Sequence, residues 1–344
     1  MFALILAGGQ GTRLRPLTEL LPKPVLPLLD RPVIHYVLWA LRELELERVI
    51  LASGHGADRL RIEVSLLDLP WSLSIHRERE PRGTGGGVAE ALEAHPEVGA
   101  PLVVMNGDII TTLPVREVVA FHERERADLT IVGFPVRDPS RFGLIEVSSD
   151  GFIRGFVEKP SSPGGGPHYI NAGIYVFGER ALEMLPRQGN FSLERDFFPA
   201  AARDLRVKMY PMGLEVRDSG GEVFWADVGT IESFFQVHFD ILYWWHLYGM
   251  ESLGGERDDA SLFKDYVYLH RSADPARGAR FDFKVVVSAR ASVGQGAKLT
   301  ETILMPDAVV EEEAELERVI VAPGTVVRRG EKISDQVLYT KPEG

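Results

Sequence analysis

The sequence predicts two successive architectures: an α/β segment with a mixed, mostly parallel sheet, then a short left-handed parallel β-helix. Two observations carry this expectation. Short apolar runs at Ala3–Ala7, Val49–Ala52, Leu102–Met105 and Leu129–Val132 alternate with stretches of helical period, as strands buried between helices do. Beyond about residue 280 the helical period stops, and Val287, Val293, Leu299 and Met305 fall six apart, with Val310 and Leu316 repeating that interval after a phase slip. Such a repeat places each hexad on one short side of a triangular coil.

The elements follow in chain order. The first apolar run leads into a Gly-rich segment, which therefore lies at the carboxyl end of a strand, where open α/β sheets bind ligands. Ile34, Val37, Leu38, Leu41 and Leu44 recur at helical spacing, giving a helix with one buried stripe, and Pro32 suits its first turn. A helix is expected from Ile231 to Tyr248, carrying Phe234, Phe235, Ile241, Trp244, Trp245 and Tyr248. That aromatic surface fits a domain-closing helix or an oligomer contact. Residues 251–265 turn charged and Gly-containing, with Glu256, Arg257, Asp258 and Asp259 adjacent, as in an exposed linker. The expected division is a first domain at 1–248, a linker at 249–280 and the β-helix at 281–344.

Composition narrows the function. At 344 residues with 45% apolar and 26% charged residues, the chain has room for two folded domains. Its formal net charge of −12 argues against nucleic acid or anionic membranes as partners. A polyphosphate ligand then needs a local basic cluster. The absence of cysteine excludes disulfides, thiolate metal sites and thiol catalysis. The run Phe2–Ala7 is too short to span a membrane and lacks the flanks of a signal peptide, so a cytoplasmic enzyme is expected.

The Gly-rich segment reads Gly8-Gly9-Gln10-Gly11-Thr12-Arg13-Leu14-Arg15-Pro16-Leu17-Thr18, followed by Pro22-Lys23-Pro24. Glycines let backbone N–H groups approach phosphate oxygens, and Arg13 and Lys23 can neutralise a triphosphate. Neither G-x-G-x-x-G nor a Gly-Lys-Ser/Thr ending is present, which weighs against dinucleotide oxidoreductases and P-loop enzymes. Asp108 follows the apolar run Leu102–Met105, and Asp227 precedes Gly229-Thr230 at the start of the aromatic helix. Either Asp alone is more often a turn or cap residue, and Glu158-Lys159 alone reads as an exposed ion pair.

These residues together resemble the sugar-nucleotide pyrophosphorylase family, whose opening signature is G-G-x-G-T-R-L-x-P-L-T with a following P-K-P. The resemblance continues through Asn106-Gly107-Asp108, Phe142-Gly143, Val157-Glu158-Lys159-Pro160, Asn171-Ala172-Gly173-Ile174-Tyr175 and Trp225-Ala226-Asp227-Val228-Gly229-Thr230, and so covers essentially residues 1–240. It implies a Rossmann-like nucleotidyltransferase domain, often followed by a β-helix, that joins a nucleoside triphosphate to a sugar 1-phosphate and releases pyrophosphate. It further implies Mg²⁺ held by Asp108 and Asp227, and a nucleotide site of Leu6, Ala7, Gly8, Gly9, Gly11, Thr12, Arg13, Lys23, Glu80 and Gly85. The sugar 1-phosphate falls to Lys159, with Glu158, Asn171 and the Gly143 backbone on the sugar; Arg13, Lys23, Asp108 and Asp227 are the catalytic set.

The nucleophile, a phosphate oxygen, is already largely ionised at neutral pH, since a phosphomonoester has its second pKa near about 6. No general base is needed, only in-line placement of two anions and stabilisation of departing pyrophosphate. Glu80 in Glu80-Pro81-Arg82-Gly83-Thr84-Gly85-Gly86-Gly87 can accept from two donors of guanine but only one of thymine or uracil. Similarity to mannose-1-phosphate guanylyltransferases adds to this: their E-P-L-G-T-A-G and F-S-x-E-x-D-x-F-P patterns compare with this loop and with Phe191–Pro199. Arg82 and Gly85 depart from that loop, which leaves glucose, heptose, thymidylyl, uridylyl and adenylyl versions open. A silent, regulatory nucleotide-sugar-binding subunit is the non-enzymatic rival. An acyltransferase role for the β-helix is disfavoured because no His occurs beyond residue 280; a homo-oligomer is expected instead.

Overall fold

The computed structural model describes residues 1–54, 56–137, 143–158, 168–213, 222–255 and 260–340, without the side chains of Glu158 and residues 260–264. The chain forms two compact units, one of Met1–Gly9 with Ala40–Trp225, the other of Gln10–Trp39 with Ala226–Gly344. No helix among the described residues is long and apolar enough to cross a membrane.

The first unit is built on a mixed sheet. Its parallel half runs Ser72–Arg77, Arg48–Ser53, Phe2–Leu6, Leu102–Asn106. The expected apolar runs lie within these strands to about a residue at each end, and Ile5, Leu51 and Val103 are fully buried. His168–Phe177 then runs antiparallel to Leu102–Asn106 and to Leu129–Val136, which pairs in parallel with Val207–Pro211. Gly143–Val147 and Ile153–Glu158 extend the sheet as an antiparallel pair. Helix Gly83–Ala94 buries Val88, Ala89 and Ala91 in a core with Leu4, Val104, Tyr175 and Phe198. Because Leu6 lies opposite both Ala52 and Asn106, and Ser53 opposite Arg77, the parallel strands end in line. Their carboxyl edge thus gathers Gly8, Gly54, Glu78 and Asp108.

The second unit contains helix Ile231–Tyr248, with the bounds expected from its aromatic residues. Thr230 caps it: Ser233 N–H donates to Thr230 Oγ1 at 3.1 Å, and Thr230 N–H donates back to Ser233 Oγ at 3.0 Å. Phe234, Ile241 and Leu242 are buried, while Tyr243, Leu247 and Tyr248 remain exposed. Pro32 is not in a helical turn as expected. It pairs with Pro27 in a short hairpin, and the helix Val33–Trp39 starts one residue later. Its fixed φ suits an extended edge position as well as a first turn, and the missing N–H costs nothing at either place. Leu41 and Leu44 are buried although the helix has already ended.

The C-terminal region is a stack of parallel strands. Val285–Val287 pairs with Thr302–Leu304, and the strands Lys298–Leu304, Glu315–Val321 and Lys332–Leu338 follow in parallel, with Lys298 opposite Glu315 and Glu315 opposite Lys332. A second parallel sheet joins Ser292–Val293, Val309–Val310 and Val326–Val327. Val287, Val293, Leu299, Met305, Val310 and Leu316 are all buried. One 17-residue step, read from those registers, accounts for the phase slip: two intervals of six residues and one of five. The parallel pairing begins before residue 280, at Val267–Leu269 with Val285–Val287, and the stretch expected to be a linker includes strand Ala260–Phe263.

Candidate active site

In the first unit the backbone rises from a buried strand into Ala7 and Gly8. Ala7 N–H still donates to Ala52 O at 2.8 Å, and Gly107 N–H to Leu6 O at 2.9 Å. A side chain on Gly107 would sit 2.7 Å from Leu6 O, so only glycine lets the two strand ends approach this closely before Asp108 leaves the edge. Beside Asp108, Asn106 Oδ1 is buried with no hydrogen-bond partner among the described residues. Gly9 is exposed, and nothing lies within 4 Å of where its Cβ would be. Packing therefore does not require glycine there.

Besides Asp108, this edge carries the carboxylate of Glu78. A Cβ on Gly8 would lie 2.5 Å from both Glu78 carboxylate oxygens, and one on Gly87 3.0 Å from Oε1. Glu78 N–H donates to Ser53 O at 3.1 Å, prolonging the strand ladder by one residue. Burial, and then the charge of Glu90, push the Glu78 carboxyl above its ordinary pKa. Glu90 is 7% exposed and accepts Arg79 N–H at 3.1 Å, fixing the segment just after Glu78. Glu80 is exposed at the turn that follows. Gly85 N–H donates to Phe191 O at 3.0 Å, and a Cβ there would strike the Phe191 ring at 2.2 Å. The glycine run opens a helix and admits Phe191, so Gly85 N–H is already engaged within the protein. The sequence reading did not single out Glu78, which lies one residue past the end of strand Ser72–Arg77.

The expected sugar-side residues lie on neighbouring strands. Glu158 is opposite Gly143, and Leu144 is opposite Ile170, the residue before Asn171. The register of His168–Phe177 breaks between Asn171 and Tyr175. There Gly173, at φ +74°, donates its N–H to Asn171 Oδ1 at 2.9 Å, and Trp225 Nε1 donates to Ala172 O at 3.0 Å. Phe142, Lys159 and Pro160 lie outside the described residues.

In the second unit Gly11 adopts φ +61°, and its carbonyl accepts from Leu14 N–H and from Thr18 Oγ1, both at 2.9 Å. This tight turn buries Leu14 and leaves Thr12 and Arg13 exposed. A Cβ on Gly11 would lie 3.3 Å from Lys23 Cβ, so the two signature halves meet there. A Cβ on Gly229 would lie 3.0 Å from both Asp227 oxygens and 3.2 Å from Arg13 Nη2. Gly229 N–H donates to Ser233 Oγ at 3.0 Å, holding the turn after Asp227 against the helix cap. Arg13 and Asp227, far apart in sequence, thus share one space.

Among the described residues no group of three or more His, Cys, Asp or Glu can hold a metal ion. Single carboxylates such as Asp108 and Asp227 suit a hard cation that keeps water and substrate oxygens as its remaining ligands.

The model of the family Nucleotidyl transferase matches residues 2–243. The chain is similar to the mannose-1-phosphate guanylyltransferase catalytic subunit beta of Drosophila pseudoobscura pseudoobscura, with 37% identity over 237 residues, 67% of this chain and 60% of that one. It therefore spans about three fifths of that relative's length. The mannose-1-phosphate guanylyltransferase of Mycobacterium tuberculosis is 30% identical over 322 residues, 92% of this chain and 83% of that one. A crystal structure of HddC from Yersinia pseudotuberculosis complexed with GMP-PN superposes with a TM-score of 0.56 at 26% identity, covering 68% of this chain and 96% of that one.

Proposed function

We propose, from the premise that this chain belongs to the nucleotidyl transferase family, that it transfers a guanylyl group from GTP to mannose 1-phosphate, giving GDP-mannose and pyrophosphate. The observation that carries the choice of base is Glu78, whose carboxylate lies between Gly8 and Gly87 at the carboxyl edge of the sheet. Two carboxylate oxygens match the adjacent N1–H and N2–H donors of guanine and leave a pyrimidine's second carbonyl unmatched. The names of the relatives support the same base and sugar.

In this reading the segment Leu6–Thr12 follows the phosphates with its backbone, and Arg13 and Lys23 offset triphosphate charge. Asp108 and Asp227 are the residues to hold Mg²⁺, with the buried acceptor of Asn106 beside the first of them. Bound there, the ion would neutralise charge on the triphosphate as pyrophosphate departs. Lys159 takes the sugar 1-phosphate, while Glu158, Asn171 and the Gly143 backbone orient the sugar, so that a phosphate oxygen of mannose 1-phosphate attacks the α-phosphorus in line. The C-terminal stack reads as a left-handed parallel β-helix serving assembly of a homo-oligomer. Its support is the six-residue spacing and the 17-residue register. The acidic, Cys-free composition supports a cytoplasmic setting.

The test measures pyrophosphate release with each nucleoside triphosphate against a panel of sugar 1-phosphates. GTP with mannose 1-phosphate is expected to give the highest kcat/KM, and equal use of UTP or dTTP would overturn the base assignment. Glu78→Gln should lower kcat/KM for GTP roughly 5- to 150-fold, the worth of a ~1–3 kcal/mol bidentate base contact. The pH dependence has a defined sign. Ionised Glu78 is the accepting form, so KM for GTP should rise as pH falls toward its raised pKa. The folded chain binds that proton more tightly than the unfolded one. Ionised Glu78 thus opposes folding at neutral pH, and acid relieves that cost while it weakens GTP binding.

A further inference from the structure

The segment Phe191–Pro199 lies between the two substrate regions, and its carboxylate Glu194 touches both. On the base side, Phe191 O accepts Gly85 and Gly86 N–H at 3.0 and 3.2 Å, and Phe191 N–H donates to Arg82 O at 3.0 Å. Thr84 Oγ1 donates to Glu194 Oε2 at 2.7 Å and accepts Leu193 N–H at 2.8 Å. Ser192 Oγ donates to the same oxygen, Oε2, at 2.7 Å, and accepts Glu194 and Arg195 N–H at 3.2 Å each. On the sugar side, Glu194 Oε1 accepts from Tyr175 OH at 3.4 Å, Tyr175 OH accepts from Asn171 Nδ2 at 2.9 Å, and Asn171 Oδ1 holds Gly173 N–H. Tyr175 is fully buried, and burial, with the charge of Glu194, holds its hydroxyl protonated far above the usual tyrosine range.

We infer that Glu194 is a positioning residue that couples the base-side helix to the sugar-side turn, one oxygen serving each, so that the ordering of one substrate region is transmitted to the other. This rests on the functional reading above. The hydrogen bonds to its carboxylate come from three hydroxyls: Thr84, Ser192 and Tyr175. On either side of that carboxylate the chain from Thr84 to Asn171 is made of hydroxyls and an amide that turn with their neighbours, and an apolar side chain at residue 194 would end the connection. Oε2 is held at short range by two donors. The longer Tyr175 contact is the adjustable joint.

The experiment is a double-mutant cycle of Thr84→Val and Tyr175→Phe, with Glu194→Gln alongside, reading KM for GTP and KM for mannose 1-phosphate separately from kcat. Each single change removes one hydroxyl with little change of volume, so the cycle carries the test even where Glu194→Gln melts early. The expected result is a remote effect. Thr84→Val raises KM for mannose 1-phosphate about threefold or more, Tyr175→Phe does the same to KM for GTP, and the double variant falls short of the product of the singles by a similar factor. Glu194→Gln raises both KM values with a smaller change in kcat. Single variants that alter only the nearer substrate, with effects that multiply, would overturn the coupling while leaving the function intact. A wild-type chain that releases no pyrophosphate from these two substrates overturns the function, and the coupling with it.

Discussion

The molecule contains two parallel-strand systems built on the same backbone geometry for different ends. In the first unit, strands of five or six residues stop together, and their carboxyl edge breaks into glycines, a half-buried glutamate and Asp108. In the C-terminal stack nothing breaks. Val287, Leu304 and Val321 point inward at the same place in successive steps, and Lys284, Glu301, Arg318 and Asp335 turn the chain with φ between +44° and +56°. A positive φ at a non-Gly residue costs about 1 kcal/mol or more, yet the stack repeats it at every step. Irregularity at one strand edge marks the first system as a place for ligands. Regularity in every direction marks the second as a source of stability, with its polar groups on ladders.

If that division holds, the largest effect should come from the irregular edge. Asp108→Asn and Asp227→Asn should each reduce kcat/KM on the order of 10³-fold, the scale of removing one preorganised charged group from a phosphoryl site, while thermal melts stay near wild type. Activity close to wild type in either purified variant would take that residue out of the proposed metal site. A chelator titration followed by magnesium add-back should show the same dependence in the unaltered protein.

An intermediate effect is expected in the regular system, and on a different axis. Leu299 is fully buried in the stack, so Leu299→Ala should lose about 2–5 kcal/mol of stability through lost transfer energy and an unfilled cavity. It should leave kcat/KM per folded molecule unchanged. Denaturant unfolding and activity measured well below the midpoint separate the two. A proportionate loss of turnover by fully folded protein would show that the stack contributes to the chemistry as well.

The smallest effect belongs to the ladders. Arg290 Nε and Nη2 each donate to Asp307 at 2.7 Å, with both side chains more than half exposed. Solvent screening keeps such a pair near ~0–1 kcal/mol even with bidentate geometry. Arg290→Gln should shift the melt by less than that, and less again in high salt. A shift as large as that of Leu299→Ala would mean that these corners, and not the apolar interior, hold the stack together.

The sequence made the two systems unequally legible. Four strands could be located from apolar runs alone, because a strand buried on both faces has no polar residues to confuse its limits. Helix Ile231–Tyr248 was readable because Thr230 and the aromatic stripe mark its start and extent. The C-terminal spacing identified the inward residues Val287, Val293 and Leu299, but the five-residue interval was visible only as a phase slip. Less of the active-site edge could be read. Glu78 and Glu80 have the same charge and the same strand phase, and which of them is enclosed depends on Gly8 and Gly87, 70 residues from one and nine from the other. Glu194 was visible as part of a motif, whereas its link to Tyr175 and Asn171 arises from a register break that no local pattern announces.

The grouping of Gln10–Trp39 with Ala226–Gly344 has a consequence for how the protein is made. Asp30 Oδ1 accepts a hydrogen bond from Ala289 N–H, 259 residues later, and Gly254 O lies 3.1 Å from His35 Nε2, 219 residues along the chain. A ribosome adds about 5–20 residues per second, so Asp30 and His35 are made well before the residues they contact. The sheet of the first unit can close on itself in the interval, while Gln10–Trp39 waits as a loop whose closure entropy is met only when the C-terminal stack emerges. The folding of Gln10–Trp39 is therefore completed only after residue 289 has been made, and a chain cut short before Ala289 would lack the hydrogen bond to Asp30.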